Sequence, residues 1–242
     1  MLSVDRVSKR FDSGLLALDA ATLEVARGEI LAVVGTSGCG KSTLLRLIGG
    51  LEVPSAGEVR IGGRIVDGPH PEIGFVFQEP RLMPWLKLDD NVTFGLAGER
   101  RARRARAEEL LQEVGLADFA DALPQALSGG MAQRAAIARA LATEPTVLLL
   151  DEPFSALDAF TRAALQDHLL RVWERHRPTM VLVTHDIEEA LALADRVVVM
   201  RGRPGRIVHD IAIGETRPRA RTSARFQRLK EDILEALQLV PA

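Results

Sequence analysis

The chain has 242 residues, 47% hydrophobic and 26% charged, a composition typical of a soluble globular protein with a sizeable core. Its formal net charge of −2 gives no general attraction for nucleic acid, and its single cysteine, Cys39, excludes a disulfide within the chain, which fits a reducing cytosol. Residues 1–6 lack the apolar stretch of a signal peptide, and no apolar run approaches the roughly 18 residues of a membrane span. We therefore expect any membrane role to depend on a partner chain.

The first third of the chain alternates short strands and turns. Period-two and continuous apolar patterns predict strands at Leu2–Phe11, Leu16–Ala26, Ile30–Val34, Glu58–Ile61 and Ile73–Phe77. One helix is predicted after the third strand, ending near Gly49 and Gly50.

A phosphate-binding loop separates that third strand from the helix. Its residues are Gly35, Thr36, Ser37, Gly38, Cys39, Gly40, Lys41, Ser42 and Thr43, which fit the pattern G-x-x-x-x-G-K-[ST]. The glycines let backbone N–H groups surround an anion, Lys41 can reach the β- and γ-phosphates, and Ser42 can ligate Mg²⁺. A glycine-rich turn with a chance lysine is the alternative, but the flanking strand and helix favour a nucleotide site.

Residues 79–145 show no strand pattern and predict a helical subdomain inserted into the core. Helices are predicted at Leu88–Gly95 with Asp89 or Asp90 as the N-cap, at Arg100–Val114, and at Ser128–Ala142 with Ser128 as the N-cap. Two glycines follow Ser128 and bare the N–H groups of the first turn, which predicts a second anion-binding helix terminus. Standing alone, the stretch would be an ordinary capped helix.

The basic run 100–106 raises the question of nucleic acid binding. The alternative is a solvated helix face. Glu108 and Glu109 follow the run directly, and the whole chain is close to neutral. We therefore predict no nucleic acid partner.

Strands and helices alternate in the last part of the chain. Strands are predicted at Thr146–Leu150, Thr179–Val183, Arg196–Met200 and Ile207–Ile211, and helices at Phe160–Arg175, Ile187–Leu193 and Arg225–Leu239. The alternation predicts an α/β fold with a mainly parallel sheet flanked by helices.

Two carboxylates, Asp151 and Glu152, follow the first of these strands. Ligands of α/β folds bind at the carboxyl ends of strands, so Asp151 is placed to hold Mg²⁺ together with Ser42. Glu152 could then act as the general base for a water molecule. A solvated acidic turn is the alternative, which the phosphate loop upstream disfavours.

Taken together, the motifs resemble those of the ATP-binding subunits of ABC transporters, in family order and over nearly the whole chain. The matching segments are an adenine-stacking aromatic at Phe11, Walker A at 35–43, the Q-loop glutamine Gln78, the signature at 127–133, Walker B at 148–152, the D-loop at 155–158 and the switch histidine His185. Met131 replaces the final glutamine of the usual Leu-Ser-Gly-Gly-Gln signature, and Phe11 replaces a commoner tyrosine.

The resemblance implies a P-loop NTPase core with an N-terminal antiparallel β portion and an inserted helical subdomain, the ABC ATPase type. It implies one domain over 1–242, with the α/β core at 1–78 and 146–211, the helical subdomain with the signature at 79–145, and a linker and helix at 212–242.

The resemblance also implies an ATPase that uses ATP and Mg²⁺ and pairs head to tail with a second copy of itself. Its implied catalytic residues are Glu152, His185 and Gln78, and its implied metal ligands are Ser42, Gln78 and Asp151. The residues implied to contact the ATP of the partner copy are Ser128, Gly129, Gly130 and Met131. Asp158 would line the dimer interface.

Four segments resemble the corresponding segments of the nitrate/sulfonate/taurine import subfamily, and the tail is most similar to the importers of aliphatic sulfonates. These segments are residues 76–85, 90–92, 217–221 and 226–229. This likeness implies two permease subunits, an extracytoplasmic solute-binding protein, and a place at the cytoplasmic face of the bacterial inner membrane. Leu82, Met83 and Trp85 are predicted to be exposed anchors for the permease.

Several other functions differ in the sequence features that each would require. Nitrate or taurine import, or export, would use the same ATPase. An ABC ATPase of DNA repair or translation would normally show a long coiled-coil insertion or two tandem cassettes, and neither is present. A GTPase would carry an Asn-Lys-x-Asp motif, which is absent, and a nucleotide kinase would leave residues 127–130 unexplained.

Overall fold

The computed structural model describes residues 1–238, and its elements follow the alternation in the sequence. The strands are β1 (Leu2–Arg10), β2 (Leu16–Val25), β3 (Ile30–Gly35), β4 (Ala56–Ile61), β5 (Arg64–Ile65), β6 (Ile73–Val76), β7 (Val147–Asp151), β8 (Thr179–Thr184), β9 (Arg196–Arg201) and β10 (Arg206–Ala212). The α-helices are α1 (Lys41–Ile48), α2 (Leu88–Val92), α3 (Arg100–Glu113), α4 (Gly129–Leu141), α5 (Ala159–His176), α6 (Ile187–Leu193) and α7 (Ala224–Ala236). The chain divides into two compact units, Met1–His70 with Thr179–Ala242, and Pro71–Pro178.

The N-terminal part of the first unit is an antiparallel sheet with strand order β2-β1-β4-β5. In β2 the apolar residues Leu18, Ala21, Leu23 and Val25 are buried, which gives the sheet one apolar face. The predicted antiparallel portion is therefore confirmed. Strand β5 was not predicted, because two residues are too few to show a pattern.

The rest of the first unit is built on β3, which is buried along its whole length and pairs in parallel with both β8 and β9. A continuous apolar strand fits this central position, because both of its faces are covered. Strand β10 adds an antiparallel edge next to β9. Helix α1 packs on β8 and α6 on β3, and α7 packs on α6.

In the second unit β6 and β7 form a parallel pair, accompanied by helices α2 to α5. Helix α4 packs on β6, and a side chain at Gly74 would place its Cβ only 2.6 Å from the carbonyl oxygen of Ala140. Glycine is therefore required where this helix meets the strand. No strand occurs between residues 79 and 145 of the described chain, as predicted.

The N-cap and the end predicted for α2 are corrected. Helix α2 begins after Lys87, so Asp89 and Asp90 lie in its first turn, where their charges favour the helix dipole, and neither is the N-cap. The same helix ends at Val92, before Gly95, whose φ is +83°. Helix α7 ends at Ala236, and the predicted end at Leu239 lies outside the described residues.

Between α3 and α4, residues Ala117–Phe119 and Pro124–Ala126 form short 3₁₀ turns. No helix among residues 1–238 is both long enough and apolar enough to cross a bilayer.

Candidate active site

The phosphate-binding loop joins the end of β3 to the start of α1. Gly40 is the N-cap of α1 with φ +94°, and Gly38 has φ +78°. A Cβ at Gly40 would lie 2.9 Å from the carbonyl oxygen of Ala17, so both conformation and space require glycine there. The N-terminus of α1 thus opens directly into the loop, the arrangement that binds anions.

Lys41 turns its ammonium group into this loop. Its Nζ donates to the carbonyl oxygens of Gly35 at 2.8 Å and of Thr36 at 3.3 Å, and the residue is only 6% exposed. The positive charge is therefore fixed beside the N–H groups of the loop and the start of α1. Ser42 follows in the first turn of α1.

Cys39 contributes packing to the loop. It is buried, and burial raises the pKa of its thiol, while the positive charges of Lys41 and Arg203 act in the opposite direction. The thiol is therefore held neutral. The charges of Lys41 and Arg203 both act at the loop.

Phe11 and His185 belong to the same unit as the loop. Phe11 follows β1 directly and is half-buried, with the Nζ of Lys9 at 5.1 Å from its ring centroid. His185 follows β8 directly and is exposed. Because Val34 and Thr184 are paired in the parallel register of β3 and β8, the loop and His185 leave the sheet at the same edge.

In the second unit, Gln78 and Asp151 lie at the carboxyl ends of the two paired strands β6 and β7. Val76 pairs with Leu150 in the β6–β7 register, so Gln78 lies two residues past one strand end, and Asp151 is the last residue of the other. Asp151 is 7% exposed. The predicted strand ended one residue earlier, at Leu150.

Glu152 follows in a left-handed conformation, with φ +46°. Non-glycine residues seldom adopt this conformation, and those that do concentrate at functional sites. The backbone therefore turns sharply at the residue predicted to be the general base.

Ser155 connects the Q-loop glutamine to this turn. Its Oγ accepts a hydrogen bond from Nε2 of Gln78 at 3.3 Å and donates to the backbone carbonyl of Glu152 at 3.1 Å. Sequence reasoning placed Ser155 in the D-loop and missed this linking role, which is visible only once the loops are folded.

Asp158 is the N-cap of α5. Its Oδ1 accepts from the N–H groups of Phe160 at 3.0 Å and Thr161 at 3.1 Å, and its Oδ2 accepts from Oγ1 of Thr161 at 2.6 Å. The hydrogen bonds from Thr161 lower the pKa of the carboxyl group, because they favour its charged form. The helix was predicted to begin near Phe160, but this cap was not predicted.

The signature residues form the first turn of α4. Oγ of Ser128 accepts from the N–H of Met131 at 3.3 Å, which confirms the predicted N-cap. A Cβ at Gly130 would lie 2.6 Å from Cγ2 of Thr161, so the first turn of α4 packs closely against the first turn of α5. The signature and the residues that follow the D-loop are therefore neighbours within one unit, with Gly129 exposed and Met131 half-buried.

Further along α4, two side chains hold the backbone near Gln78. Nε2 of Gln133 donates to the carbonyl of Phe77 at 3.4 Å, and the guanidinium of Arg139 donates to the carbonyls of Pro80 and Arg81, each at 2.7 Å. Burial lowers the pKa of Arg139. Sequence reasoning missed both residues, although polar side chains on an otherwise apolar helix face were a usable signal.

The segment after the Q-loop exposes Trp85 to 72%, whereas Leu82 and Met83 are half-buried. The prediction that all three are exposed is therefore wrong for Leu82 and Met83. The reason is Asn91, which is fully buried and binds both the N–H and the carbonyl of Met83 and the carbonyl of Leu86. This side chain draws the segment inward and leaves the indole outside.

The phosphate-binding loop follows the buried parallel strand β3, and the later strand β7 ends at Asp151, next to Glu152. This combination defines the class of P-loop nucleotide-binding proteins. The family pattern for the ABC transporter matches residues 18–155. The chain is 52% identical to the aliphatic sulfonates import ATP-binding protein SsuB 2 of Burkholderia lata, over 96% of this chain and 85% of that protein. It is 51% identical to the protein of the same name from Pseudomonas syringae pv. tomato, over 96% of both chains. The chain belongs to the ABC transporter family.

Solved structures agree with this assignment. The dimeric ATP-binding cassette MJ0796, in a post-hydrolysis state with ADP and Pi, matches with a TM-score of 0.78 and 34% identity, over 89% of this chain and 100% of that one. The cassette cbiO1 of Clostridium perfringens matches with a TM-score of 0.81 and 27% identity, over 96% and 92%. The expected fold, a P-loop core of the ABC ATPase type, is thereby confirmed, and the chain is an ABC-type ATPase that binds ATP.

Proposed function

We propose that this ATPase powers the import of a small anionic solute, an aliphatic sulfonate, through a partner permease. The observation that carries this proposal is the likeness, at 51–52% identity over 96% of the chain, to proteins named for aliphatic sulfonate import. The substrate does not contact this chain in such a scheme, so specificity for the sulfonate belongs to the partners.

ATP is bound by the loop 35–43 and by Phe11, whose ring stacks on the adenine. The inward position of the Lys41 ammonium supports this assignment, because it supplies a buried positive charge for the phosphates. Mg²⁺ is held by Ser42, Gln78 and Asp151. Hydroxyl, amide and carboxylate oxygens are the hard donors this ion prefers, so the residues present fit it. When bound, the ion neutralises charge on the phosphates.

Hydrolysis follows from the groups around the γ-phosphate. A water oxygen forms a bond to the γ-phosphorus, the bond to the β–γ bridging oxygen breaks, and ADP departs with that electron pair. Glu152 takes the proton from the water, and Gln78 orients the water. His185 contacts the γ-phosphate.

Two copies of the chain pair head to tail, so that each ATP lies between the loop of one copy and the signature of the other. Ser128, Gly129, Gly130 and Met131 contact the partner's nucleotide, and Asp158 lies at the interface. The exposure of Ser128 and Gly129 at the start of α4 supports this, because a helix N-terminus favours a bound anion. ATP then closes the dimer, and hydrolysis releases it.

The dimer acts peripherally at the cytoplasmic face of the inner membrane, bound to two permease subunits, and an extracytoplasmic protein delivers the solute. Trp85 supports a docking role, because an exposed indole on a well-anchored segment is a favourable interface anchor.

The nucleotide assignment is tested by Lys41→Ala, which should abolish ATP binding measured by calorimetry. Lys230→Ala is the matched control, because Lys230 lies far along the chain in α7, paired with Glu188 at 2.5 Å. An unchanged ATP affinity in the Lys41 variant would contradict the assignment.

The transport assignment is tested in a deletion strain. We expect no growth with aliphatic sulfonates as the sole sulfur source, restored by the wild-type gene and not by the Lys41→Ala form. Normal growth on sulfonates other than taurine, together with failure on nitrate or taurine, would move the assignment to those solutes. Copurification with a permease and no solute-binding protein would favour an exporter.

A further inference from the structure

The tip of the β9–β10 hairpin, residues 202–205, lies directly against the phosphate-binding loop. Its backbone is tied to β2, because Gly205 donates its N–H to the carbonyl of Ala17 at 2.9 Å and accepts from the N–H of Asp19 at 3.1 Å. A Cβ at Gly205 would come within 1.8 Å of the carbonyl oxygen of Cys39. Only glycine therefore allows this approach, and the hairpin tip is fixed at backbone distance from the loop.

From this tip, Arg203 places its guanidinium on the loop. Its Nη2 donates to the carbonyl oxygen of Ser37 at 3.1 Å. A Cβ at Gly38 would lie 2.4 Å from the same Nη2, so the guanidinium occupies the space that a side chain at Gly38 would fill. One charged group thus contacts both halves of the Ser37–Gly38 peptide unit.

This contact fixes the direction of an N–H group. In a trans peptide the carbonyl of one residue and the N–H of the next point in opposite directions, and the Ser37–Gly38 bond is trans. Holding the Ser37 carbonyl therefore turns the Gly38 N–H away from Arg203. Glycine has the freedom to let this peptide rotate, so a fixed orientation needs an external partner. The guanidinium charge also polarises the peptide and strengthens its N–H as a donor.

We propose that Arg203 is a positioning residue of the nucleotide site, which orients the Gly38 N–H for the polyphosphate of ATP or ADP. This inference rests on the proposed nucleotide site at residues 35–43. Arg203 acts through the loop backbone, and its role differs from that of Lys41, whose ammonium lies among the carbonyls of Gly35 and Thr36.

The test compares Arg203→Ala with Arg206→Ala in the full chain. Arg206 starts β10 of the same hairpin, is exposed and carries the same charge, but it pairs with Asp19 at 2.5 Å. Inhibition constants are measured for ADP and for adenosine by displacement of a ribose-labelled fluorescent ADP, together with the melting temperature. We expect Arg203→Ala to raise the inhibition constant of ADP about fivefold to tenfold, the size of one ordinary hydrogen bond, because Arg203 acts on the phosphates only through the loop backbone. Adenosine, which has no phosphate, should displace the labelled ADP equally well from the wild type and from both variants. The melting temperature should not change.

Three results would overturn the inference. They are an unchanged ADP constant in Arg203→Ala, an equal loss in Arg206→Ala, and a loss for adenosine as large as that for ADP. Failure of the nucleotide site itself is separate, because it would appear as undiminished ADP binding in Lys41→Ala.

Discussion

The side chain of Gln78 donates a hydrogen bond from Nε2 to Oγ of Ser155 at 3.3 Å, and that hydroxyl in turn donates to the carbonyl of Glu152 at 3.1 Å. Gln78 follows β6, and Glu152 follows β7. A short chain of hydrogen bonds therefore joins two residues proposed to act in hydrolysis, and a movement of Gln78 would disturb the turn that carries Glu152.

A double-mutant cycle tests this link. We expect Gln78→Ala and Ser155→Ala each to reduce ATP turnover, and the double variant to lose little more than the more severe single variant, a coupling of about 1 kcal/mol. Pairing Gln78→Ala with Ser223→Ala, which removes the N-cap of helix α7, is the control. Its effects on turnover should add within roughly 0.5 kcal/mol. Additive losses in the Gln78 and Ser155 pair would exclude the link.

Arg139 should stabilise the segment that follows the Q-loop. Its guanidinium donates to two carbonyls at 2.7 Å, so Arg139→Ala leaves both without this partner and should lower the free energy of unfolding by about 2 kcal/mol. Urea denaturation measures the change. Arg101→Ala, at an exposed position on α3, is the control and should change it by less than about 0.5 kcal/mol. Equal effects of the two substitutions would show that the carbonyl contacts add nothing.

The buried side chain of His168 should make the free energy of unfolding decrease at low pH. It is buried in α5, its Nε2 has no partner within the described chain, and burial lowers its pKa, helped by the charges of Arg171 and Arg134 and opposed by Glu113. The unfolded chain therefore takes up a proton near the ordinary pKa of about 6.5, while the folded chain does so only at lower pH. Its contribution to stability is constant above about pH 6.5 and falls as the pH drops further.

The expected result is that His168→Gln loses less stability than the wild type between about pH 7 and about pH 5, measured by urea denaturation at each pH. His209→Gln, exposed on β10, is the control and should keep the wild-type slope. The same pH slope in the His168 variant as in the wild type would contradict this account of the buried imidazole.

Substitution of Trp85 should weaken binding to the permease without changing ATP hydrolysis. Because its indole is exposed and no catalytic role is assigned to it, Trp85→Ala should leave the ATPase rate of the isolated chain unchanged while reducing retention on permease-containing membranes about tenfold or more. Phe119→Ala, another exposed aromatic of the same unit, is the control in a flotation assay. Wild-type retention of the Trp85 variant would remove this residue from the docking surface.

Local patterns were sufficient to predict every strand of residues 1–238 except β5. The continuous apolar run at Ile30–Val34 predicted a buried parallel strand, and Ser128 predicted the start of α4, because a cap and a hydrophobic run are encoded by neighbouring residues. The order of the motifs then indicated the family, which the comparisons confirmed.

Contacts between distant segments could not be predicted in the same way. Ser155 meets Gln78 across 77 positions, and Arg203 meets Ser37 across 166, and neither pair leaves a local pattern. The exposure of Met83 was predicted wrongly for the same reason, since it depends on the buried side chain of Asn91, eight residues away. The start of α2 at Leu88 was predicted correctly, but its N-cap was misplaced because Asp89 and Asp90 suit both a cap and a first turn.

The central claim, that Glu152 is the base of an ATP-hydrolysing site, is tested most directly by comparing Glu152→Gln with the wild type for both ATP affinity and single-turnover hydrolysis. The control is Glu174→Gln, which changes an exposed carboxylate of α5. We expect unchanged ATP affinity and a hydrolysis rate lowered about 100-fold or more, because the amide cannot accept the proton of the attacking water. Hydrolysis by Glu152→Gln at the rate of the wild type and of the Glu174 control would contradict the assignment.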